Sequence, residues 1–342
     1  MLKINLNKLD DLFSLISKEK ELYLPIKKDN KTEFRKYSFG EKADFESLNT
    51  LKSAKDFFFP QSENLVKFKT SGKNIEIIPE KIEEKQAVYF GIKGCDVKSF
   101  DILDLVFLAD PVDTYYQAKR MGSIIISMSC NTPEETCFCT SFGIDPANPK
   151  GDATCHIVND YLFINANTAK GKEFLNFIES VCEKCDDTDE KTVENKKEEI
   201  NKIVEVLPLK SLDLTSFNEE NLNEKFDSLK WEDLSKACIG CGTCTFICPT
   251  CQCYDMKDFN TGNGIQRYRC WDSCMYSDFT KMAHGNPRTT QMQKFRQRFM
   301  HKLVYFPANN NGEYSCVGCG RCLQKCPISM NIVKVAKALN EK

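Results

Sequence analysis

The sequence Cys238-Ile-Gly-Cys-Gly-Thr-Cys-Thr-Phe-Ile-Cys-Pro249 shares its cysteine spacing with Cys316-Val-Gly-Cys-Gly-Arg-Cys-Leu-Gln-Lys-Cys-Pro327. Both stretches read Cys-x2-Cys-x2-Cys-x3-Cys-Pro, the spacing with which bacterial ferredoxins hold cubane [4Fe–4S] clusters. The short x2 spacings let one loop present three sulfurs to three irons of a cluster. The repeated motif therefore predicts two [4Fe–4S] clusters in the last third of the chain.

The cysteine before each proline decides how the ligands divide between the two clusters. In such proteins it turns away from its own loop and binds the neighbouring cluster. The predicted ligands are Cys238, Cys241, Cys244 and Cys326 for one cluster, and Cys316, Cys319, Cys322 and Cys248 for the other. The alternative is a pair of structural zinc sites, which x2 spacings also permit. Zinc takes four ligands from one locus, however, and does not need a cysteine before proline in both copies.

The first half of the chain has the pattern of a mixed α/β fold. Short β-rich runs, each bounded by Gly, Pro, Asn or charged residues, predict strands at Glu21–Ile26, Asn74–Pro79, Ala87–Ile92, Ser123–Ser129 and Tyr161–Ile164. The third run is followed by a helical apolar stripe through Leu108, which places Cys95 at a strand-to-helix junction. At the start of a helix, the helix dipole would favour the thiolate form of Cys95.

Cysteines on loops after these strands form a second group of candidate ligands. Its members are Cys95, Cys130, Cys137 and Cys139, with Cys155 as a fifth candidate. Four thiols at the ends of adjacent strands suit a third [4Fe–4S] cluster at one sheet edge. The alternative is a set of unrelated buried cysteines, because free cysteine packs well in protein cores.

The length of 342 residues favours two domains. Residues 182–210 are highly charged, and their apolar positions predict a solvated helix before a junction near Pro208. Those apolar positions are Ile200, Ile203, Val204 and Val206. We expect an α+β protein with a mixed α/β domain at residues 1–212. An α-helical ferredoxin domain with two [4Fe–4S] clusters is expected at residues 213–342.

From Ser216 onward the pattern of the chain predicts helices, and the spacer between the two cysteine motifs is longer than a compact bacterial ferredoxin needs. Apolar residues recur at near-helical spacing at Met292, Phe295, Phe299, Met300, Leu303 and Val304. The spacer also carries the basic residues Arg267, Arg269, Arg288, Lys294, Arg296, Arg298 and Lys302. These are either a solvated face or a positive surface that offsets cluster charge or docks an acidic partner.

Several further thiols and imidazoles have no fixed role in this prediction. Cys251, Cys253, Cys270 and Cys274 lie near the cluster motifs and could bind an additional centre, tune a neighbouring cluster or simply pack. Cys182 and Cys185 have ligand spacing but stand alone on an acidic predicted helix, which favours incidental thiols. The histidines, which are His156, His284 and His301, show no mutual metal-binding spacing.

The amino-acid composition indicates in which cellular compartment the protein works. The chain has 19 cysteines, no secretory signal pattern in its first 30 residues and no apolar run long enough to span a bilayer. Long intracellular chains use many cysteines for metals more often than for disulfides, so we expect a cytoplasmic and anaerobic protein. The net charge of −2 gives no electrostatic footprint for nucleic acid.

The sequence contains cluster motifs but no recognisable nucleotide site. No G-x-G-x-x-G follows a strand, since Gly91-Ile-Lys-Gly94 lacks the third glycine and its acidic partner. No Walker loop, G-x-S-x-G elbow or H-E-x-x-H helix is present. Such a chain would pass single electrons that it receives from another component.

Several motifs of the chain resemble those of one protein family. They are Gly91-Ile-Lys-Gly-Cys-Asp-Val97, Cys137-Phe-Cys-Thr-Ser-Phe-Gly143, the segment from Cys238 to Asp255, Trp271-Asp-Ser-Cys274 and Cys316-Val-Gly-Cys-Gly-Arg-Cys322. The family contains the beta subunit of soluble sulfhydrogenases and its counterpart in anaerobic sulfite reductase, and the resemblance runs from about Phe57 to Lys337. Phe57-Phe-Phe-Pro60 and the stretch from Asp110 to Tyr116 favour the sulfhydrogenase branch.

The resemblance implies an electron-transfer subunit of an oxidoreductase complex. In that family the protein carries electrons between two other subunits, one that binds flavin and NAD(P)H and one that is a catalytic hydrogenase or reductase. A ferredoxin is a further candidate partner. The alternative is a self-contained reductase that binds a sulfur or sulfite species at an open cluster position. The chain has enough cysteines to close every cluster, which favours the electron-transfer role. Whether the chain has catalytic activity of its own stays open.

Overall fold

The computed structural model describes residues 1–82, 86–262 and 264–341. The strands in these residues are β1 (Leu2–Asn5), β2 (Glu21–Lys28), β3 (Lys31–Lys36), β4 (Ser62–Ser71), β5 (Asn74–Pro79), β6 (Ala87–Lys93), β7 (Ser123–Met128), β8 (Ala153–Val158), β9 (Tyr161–Ala166), β10 (Glu183–Lys184), β11 (Tyr254–Asn260) and β12 (Ile265–Trp271). All five predicted strands are confirmed, each with bounds within two residues of the prediction.

The helices of the first half pack on this strand framework, and those of the second half surround the cysteine motifs. They are α1 (Leu9–Glu19), α2 (Gly94–Phe107), α3 (Thr114–Met121), α4 (Ala169–Ile178), α5 (Asp187–Glu205), α6 (Leu222–Phe226), α7 (Lys230–Lys236), α8 (Thr243–Phe246), α9 (Gln291–Met300), α10 (Phe306–Asn309), α11 (Arg321–Lys325) and α12 (Ile332–Asn340). The predicted helix after the third run corresponds to α2, and Cys95 is its second residue.

The larger sheet has eight strands in the order β10-β1-β9-β8-β7-β6-β2-β3. Its centre is parallel, because β6 pairs in parallel with both β2 and β7. β6 and β7 are apolar and buried along almost their whole length, as expected for strands covered on both faces. Since neighbouring parallel strands end at the same edge of a sheet, the segments that follow β6 and β7 start close together. Cys95 and Cys130 lie on those segments.

A second sheet has the order β11-β12-β4-β5, with β12 antiparallel to β4. The helical prediction from Ser216 onward is therefore wrong for Tyr254–Asn260 and Ile265–Trp271, which form β11 and β12. The reason is a long-range pairing: Ile265 lies opposite Phe68 and Cys270 opposite Ser62. A local pattern does not reveal a partner strand almost two hundred residues away. The sheet also joins the two halves, so the boundary after residue 212 stays a prediction.

The predicted helical spacing around residue 295 is confirmed by α9. The helix begins after Thr290, whose side chain and that of Gln293 form a reciprocal capping box. Phe295 and Phe299 are buried against Trp231 of α7 in one apolar cluster. Complete burial of each such ring contributes about 2–3 kcal/mol. This packing fixes the face of α9 that points to the cysteine motifs.

The acidic segment after residue 182 forms the long helix α5, as predicted. Asp186 and Asp189 make a capping box at its start. Of the predicted apolar stripe, Ile200 and Val204 are buried, whereas Ile203 and Val206 are exposed. In the described ranges we find no helix with the length and apolar character needed to cross a membrane.

Candidate iron–sulfur sites

The first motif and the last cysteine of the second motif surround one cavity. Cys238, Cys241, Cys244 and Cys326 all line it, together with apolar side chains and Arg298. We call these four cysteines the outer set, because Cys241 is exposed at the surface. The four thiols are those that the sequence predicted for one cluster, including the cysteine contributed by the other motif.

The other four thiols of the two motifs are all partly buried, and we call them the inner set: Cys316, Cys319, Cys322 and Cys248. Burial raises the pKa of Cys322 to about 12, and Cys319 and Cys248 add to the rise. Burial also raises the pKa of Cys316 and of Cys319, and Cys248 again adds to both shifts. The cysteine that precedes Pro249 is therefore a near neighbour of the second loop. The sharing of one cluster by these four thiols stays a prediction.

The N-terminal set consists of Cys95, Cys130, Cys137 and Cys139. Burial raises the pKa of Cys139 to about 12, with further contributions from Cys137 and Cys130. Burial likewise raises the pKa of Cys95, on which Cys139 also acts. The loop after β7 thus brings Cys139 close to Cys95 at the start of α2, and a cluster bound by all four thiols stays a prediction. The thiolates become favourable once positive charge, such as cluster iron, lies beside them.

The N-terminal set and the inner set are adjacent. Cys95, Cys139 and Cys319 pack against the same apolar cluster. The residues that build this cluster are Ile102, Ile144, Phe306 and Val317. Cys319 also raises the pKa of Cys137, although burial has the larger effect. The two sets therefore share a wall of the protein interior.

The loops that carry these two sets are in backbone contact. The N–H of Phe138 donates to the carbonyl oxygen of Gly318 at 3.0 Å. Gly318 has a φ of +58°, and a Cβ at this position would lie 2.4 Å from the Phe138 oxygen. Only glycine fits this left-handed backbone at such a close approach. The contact sets the relative position of the loop around residue 138 and the second cysteine motif.

A buried ion pair also holds the second cysteine motif against the start of α2. Arg321, which precedes Cys322, donates to both carboxylate oxygens of Asp96, at 2.6 and 2.7 Å. Asp96 follows Cys95, so the pair joins the residues beside two cluster ligands. Both side chains are almost fully buried. Bidentate pairing of this kind gives geometric specificity as well as attraction.

Cations accompany the thiol sets inside the protein. Lys93 lies beside the N-terminal set, where burial lowers its pKa and Cys130 and Cys95 oppose that effect. Arg298 and Lys302 are buried near the dicluster thiols. The solvated-face interpretation of the basic spacer residues is therefore wrong for Arg269, Lys294, Arg298 and Lys302, which are all buried. Buried charges need polar partners: Arg269 pairs with Glu63 and Asp113, whereas cysteine thiols act on Arg298 and Lys302.

Cys155 does not join the N-terminal set. It lies on β8 within the main apolar core, where burial raises its pKa and Cys182 adds to the shift. Burial raises the pKa of Cys182 to about 11, and the neighbouring Cys185 adds to that shift. His156 is buried and hydrogen-bonded to the carbonyl oxygen of Ala147 at 2.9 Å.

The remaining cysteines near the motifs divide into two kinds. The side chain of Cys274 is the largest influence on Cys253 and lowers the pKa of Cys253 to about 7. In the same way, the side chain of Cys251 lowers the pKa of Cys248 in the inner set. Cys270 lies apart on β12, opposite Asp255. Cys251, Cys253 and Cys274 thus form a row of thiols beside the inner set.

Sequence reasoning gave no role to Lys55, Lys93 or Asp96. Lys55 is 1% exposed, donates to the carbonyl oxygen of Cys251 at 2.9 Å and lies 3.8 Å from the ring centroid of Trp271. Lys93 and Asp96 are the other two. The sequence could have indicated both residues, because they lie within two positions of Cys95 in the motif Gly91-Ile-Lys-Gly-Cys-Asp-Val97. Lys55 gave no comparable signal, because no cysteine lies near it in sequence.

The donor set fits [4Fe–4S] clusters. Four thiols line one cavity, and the Nε of buried Arg298 is directed into a region where the described residues offer it no hydrogen-bond partner. Within residues 1–82, 86–262 and 264–341, no three or more His, Cys, Asp or Glu side chains converge as they would on a single metal ion. Cysteine thiolate is the usual protein ligand of iron–sulfur clusters.

Comparison with known proteins gives two matches. Residues 237–330 match the family model described as a 4Fe-4S dicluster domain. The chain is 29% identical over 337 residues to sulfhydrogenase 2 subunit beta of Pyrococcus furiosus, which covers 97% of this chain and 96% of the relative. No solved structure matches the chain.

These matches agree with the motifs and with the geometry. The dicluster match spans the outer and inner sets, and the alignment with the relative extends across the N-terminal set as well. Together they support [4Fe–4S] clusters and an iron–sulfur electron-transfer role. The chain therefore resembles a sulfhydrogenase beta subunit over nearly its whole length and carries a 4Fe-4S dicluster domain at residues 237–330.

Proposed function

We propose that this chain is the electron-transfer subunit of a multi-subunit oxidoreductase. It relays single electrons between two other subunits, one that binds flavin and NAD(P)H and one that is a catalytic hydrogenase or reductase. The observation that carries the proposal is the adjacency of the three thiol sets. Cys319 of the inner set packs with Cys95 and Cys139 of the N-terminal set. Arg298 lies by both the outer set and the inner set.

Each set is assigned one [4Fe–4S] cluster, which supplies reversible one-electron chemistry when bound. The outer set and the inner set follow the ferredoxin rule, in which the cysteine before proline crosses to the other cluster. The shared cavity of the outer set supports that crossing. The N-terminal set is assigned the third cluster, with Lys93 as its internal cation. Cys139 interacts electrostatically with Cys137 and Cys130 and also acts on Cys95, which supports this assignment over unrelated buried cysteines.

The order of the sets suggests a path. The N-terminal set borders the inner set, and the inner set borders the outer set, where Cys241 is exposed. Electrons would pass along this row and cross to a partner near Cys241. The protein excludes water from the inner set by surrounding it with Val317, Phe306 and the loop at Phe138. A dry interior keeps side reactions away from reduced clusters.

Two partner subunits are part of the proposal. The relative's name identifies it as one subunit of a sulfhydrogenase. The chain lacks the strand–glycine–helix device that binds a pyrophosphate, which supports a separate flavin- and NAD(P)H-binding subunit. The catalytic subunit determines the final substrate, and a ferredoxin is a further candidate partner.

Metal analysis tests the clusters. Anaerobically purified protein should contain about eight irons and eight acid-labile sulfides for two cubanes, or about twelve of each for three. Zinc in place of iron would overturn the proposal. Titration with sulfite or cyanide, followed by cluster spectra, tests the self-contained reductase: a ligand-induced change would reveal an open iron position.

Reduction assays test the relay. The isolated chain should be reduced by dithionite but not by NADH or NADPH. Addition of a flavin subunit should make the clusters reducible by a pyridine nucleotide. Stoichiometric flavin in the isolated chain, with NADH-dependent reduction of its clusters, would show that the chain is more than an electron relay.

A further inference from the structure

Arg298 is a buried cation at the boundary between the outer and inner sets. It lies on α9, is 4% exposed and lines the same cavity as the four thiols of the outer set. Its guanidinium carbon lies 4.4 Å from the ring centroid of Phe299. In the described part of the chain, its Nε has no hydrogen-bond partner. A fully buried guanidinium is costly unless an anion lies beside it.

The anions available to Arg298 belong to both sets. Burial by itself lowers the pKa of Arg298. The nearby thiols outweigh burial and raise the pKa overall, with Cys244 of the outer set and Cys322 of the inner set contributing most. In return, Arg298 is the strongest opposing influence on the raised pKa of Cys244 and of Cys322. The geometry agrees: Arg298 lines the cavity of the outer set and lies one helical turn before Lys302, whose Nζ donates to the carbonyl oxygen of Ser315, the residue before Cys316 of the inner set.

Lys302 provides a contrast one helical turn further on. Its Nζ donates to Thr250 Oγ1 and to the carbonyl oxygen of Ser315, both at 2.9 Å, so its donors have protein partners. The cluster ligands that act most strongly on it, Cys248 and Cys316, both belong to the inner set. Lys302 therefore interacts with ligands of the inner set, whereas Arg298 interacts with ligands of both sets.

We propose that Arg298 is the common counter-charge of the two ferredoxin-type clusters and raises the reduction potential of both. The inference rests on the proposed function, because it requires a cluster in each set. Reduction adds one electron to a cluster, and no bond forms or breaks. Because the added charge is negative, a fixed positive charge nearby stabilises the reduced state more than the oxidised state. Arg298 is a positioning residue, since it acts on the clusters through their thiolate ligands.

The test is an anaerobic redox titration of the full chain, followed by electron paramagnetic resonance of each reduced cluster. Arg298→Gln should disfavour reduction of both clusters at least tenfold, which corresponds to about 59 mV for a one-electron couple. Arg298→Lys should keep both potentials within a few-fold of the wild-type equilibrium, because it keeps the charge. Lys302→Gln should lower the potential of the inner cluster more than that of the outer cluster.

Arg296→Gln is the matched control. It lies on the same helix, and its guanidinium donates to the carbonyl oxygen of Phe226 at 3.0 Å and lies 3.5 Å from the centroid of the Phe226 ring. It should leave both potentials unchanged. Iron and sulfide are measured on every variant, so that absence of clusters in the wild type, which would overturn the proposed function, is distinguished from a failure of this inference.

The outcomes separate charge from packing. Unchanged potentials in an Arg298→Gln protein with full iron content would overturn the inference, and so would a shift in only one of the two clusters. If Arg298→Gln does not take up iron while Arg298→Lys does, the buried charge is required and the inference is supported. If Arg298→Lys also fails to take up iron, the shape of the guanidinium is what matters and the inference is wrong.

Discussion

The outer set and the N-terminal set bring four thiols together in different ways. Three cysteines of the outer set come from one short loop, Cys238–Cys244, and a single long-range contact adds Cys326. The N-terminal set gathers Cys95, Cys130 and the pair Cys137 and Cys139 through two neighbouring parallel strands. A local loop keeps its shape when the surrounding fold loosens, whereas a set assembled by a sheet edge depends on the whole fold. The N-terminal set should therefore be the more sensitive to changes in packing.

The largest expected effect comes from removal of ligands. Cys137→Ser with Cys139→Ser should remove about four irons, one cubane, and leave the two ferredoxin-type clusters intact. Iron analysis and cluster spectra measure the loss. Cys182→Ser with Cys185→Ser is the matched control, because this pair lies apart from the three sets, and it should retain all iron. Unchanged iron in the Cys137 and Cys139 variant would mean that these thiols are structural.

The buried pair of Asp96 and Arg321 should have the next largest effect. Asp96→Asn leaves the Arg321 charge buried without its partner, and we expect a loss of about 3–5 kcal/mol in the free energy of unfolding. Denaturant unfolding under anaerobic conditions measures it. The control is Asp258→Asn, because Asp258 pairs with Arg267 on an exposed surface. That variant should lose about 1 kcal/mol or less.

The same variant sharpens the comparison between the two sets. Asp96 adjoins Cys95, while the outer set has no part in the ion pair. During partial unfolding, Asp96→Asn should release iron from the N-terminal set before the outer set. Simultaneous release from both sets would contradict the view that the local loop is the more robust.

The contact at Gly318 should have the smallest of these effects. Gly318→Ala forces a Cβ against the Phe138 oxygen on a left-handed backbone, and we expect a loss of about 2–3 kcal/mol. Thermal unfolding measures it. Gly312→Ala is the control, because Gly312 has a φ of +84° but nothing within 4 Å of the added Cβ. Its expected loss of about 1 kcal/mol reflects the backbone alone. Equal losses in the two variants would mean that the loop contact is unimportant.

The sequence predicted much of the fold where the pattern is local. The five strands and the helix after β6 follow from short runs of apolar residues with clear boundaries. The helix after residue 182 follows from its charged, amphipathic pattern. The prediction failed at β11 and β12, because their partner β4 lies in the first half of the chain. Strand pairing of this range depends on tertiary packing, which local periodicity does not report.

The candidate sites show the same division. The spacing of Cys238–Cys248 and Cys316–Cys326 specifies chemistry on its own, because a loop with x2 spacings can wrap a cubane whatever the rest of the fold is. Spacing did not reveal that Cys155 stands in the apolar core, apart from the N-terminal set. It also gave no indication that Lys55 is buried beside Cys251.

The sequence by itself determined the two cluster motifs and the mixed α/β character of the first half. It also predicted how the eight cysteines of the motifs divide between two clusters. Only the tertiary structure decided that the N-terminal set adjoins the inner set and that Arg298 faces both dicluster sets. The physical reason is the separation along the chain over which each kind of interaction acts. Loop spacing and periodicity act over a few residues, whereas burial and charge pairing act between residues that are close only after folding.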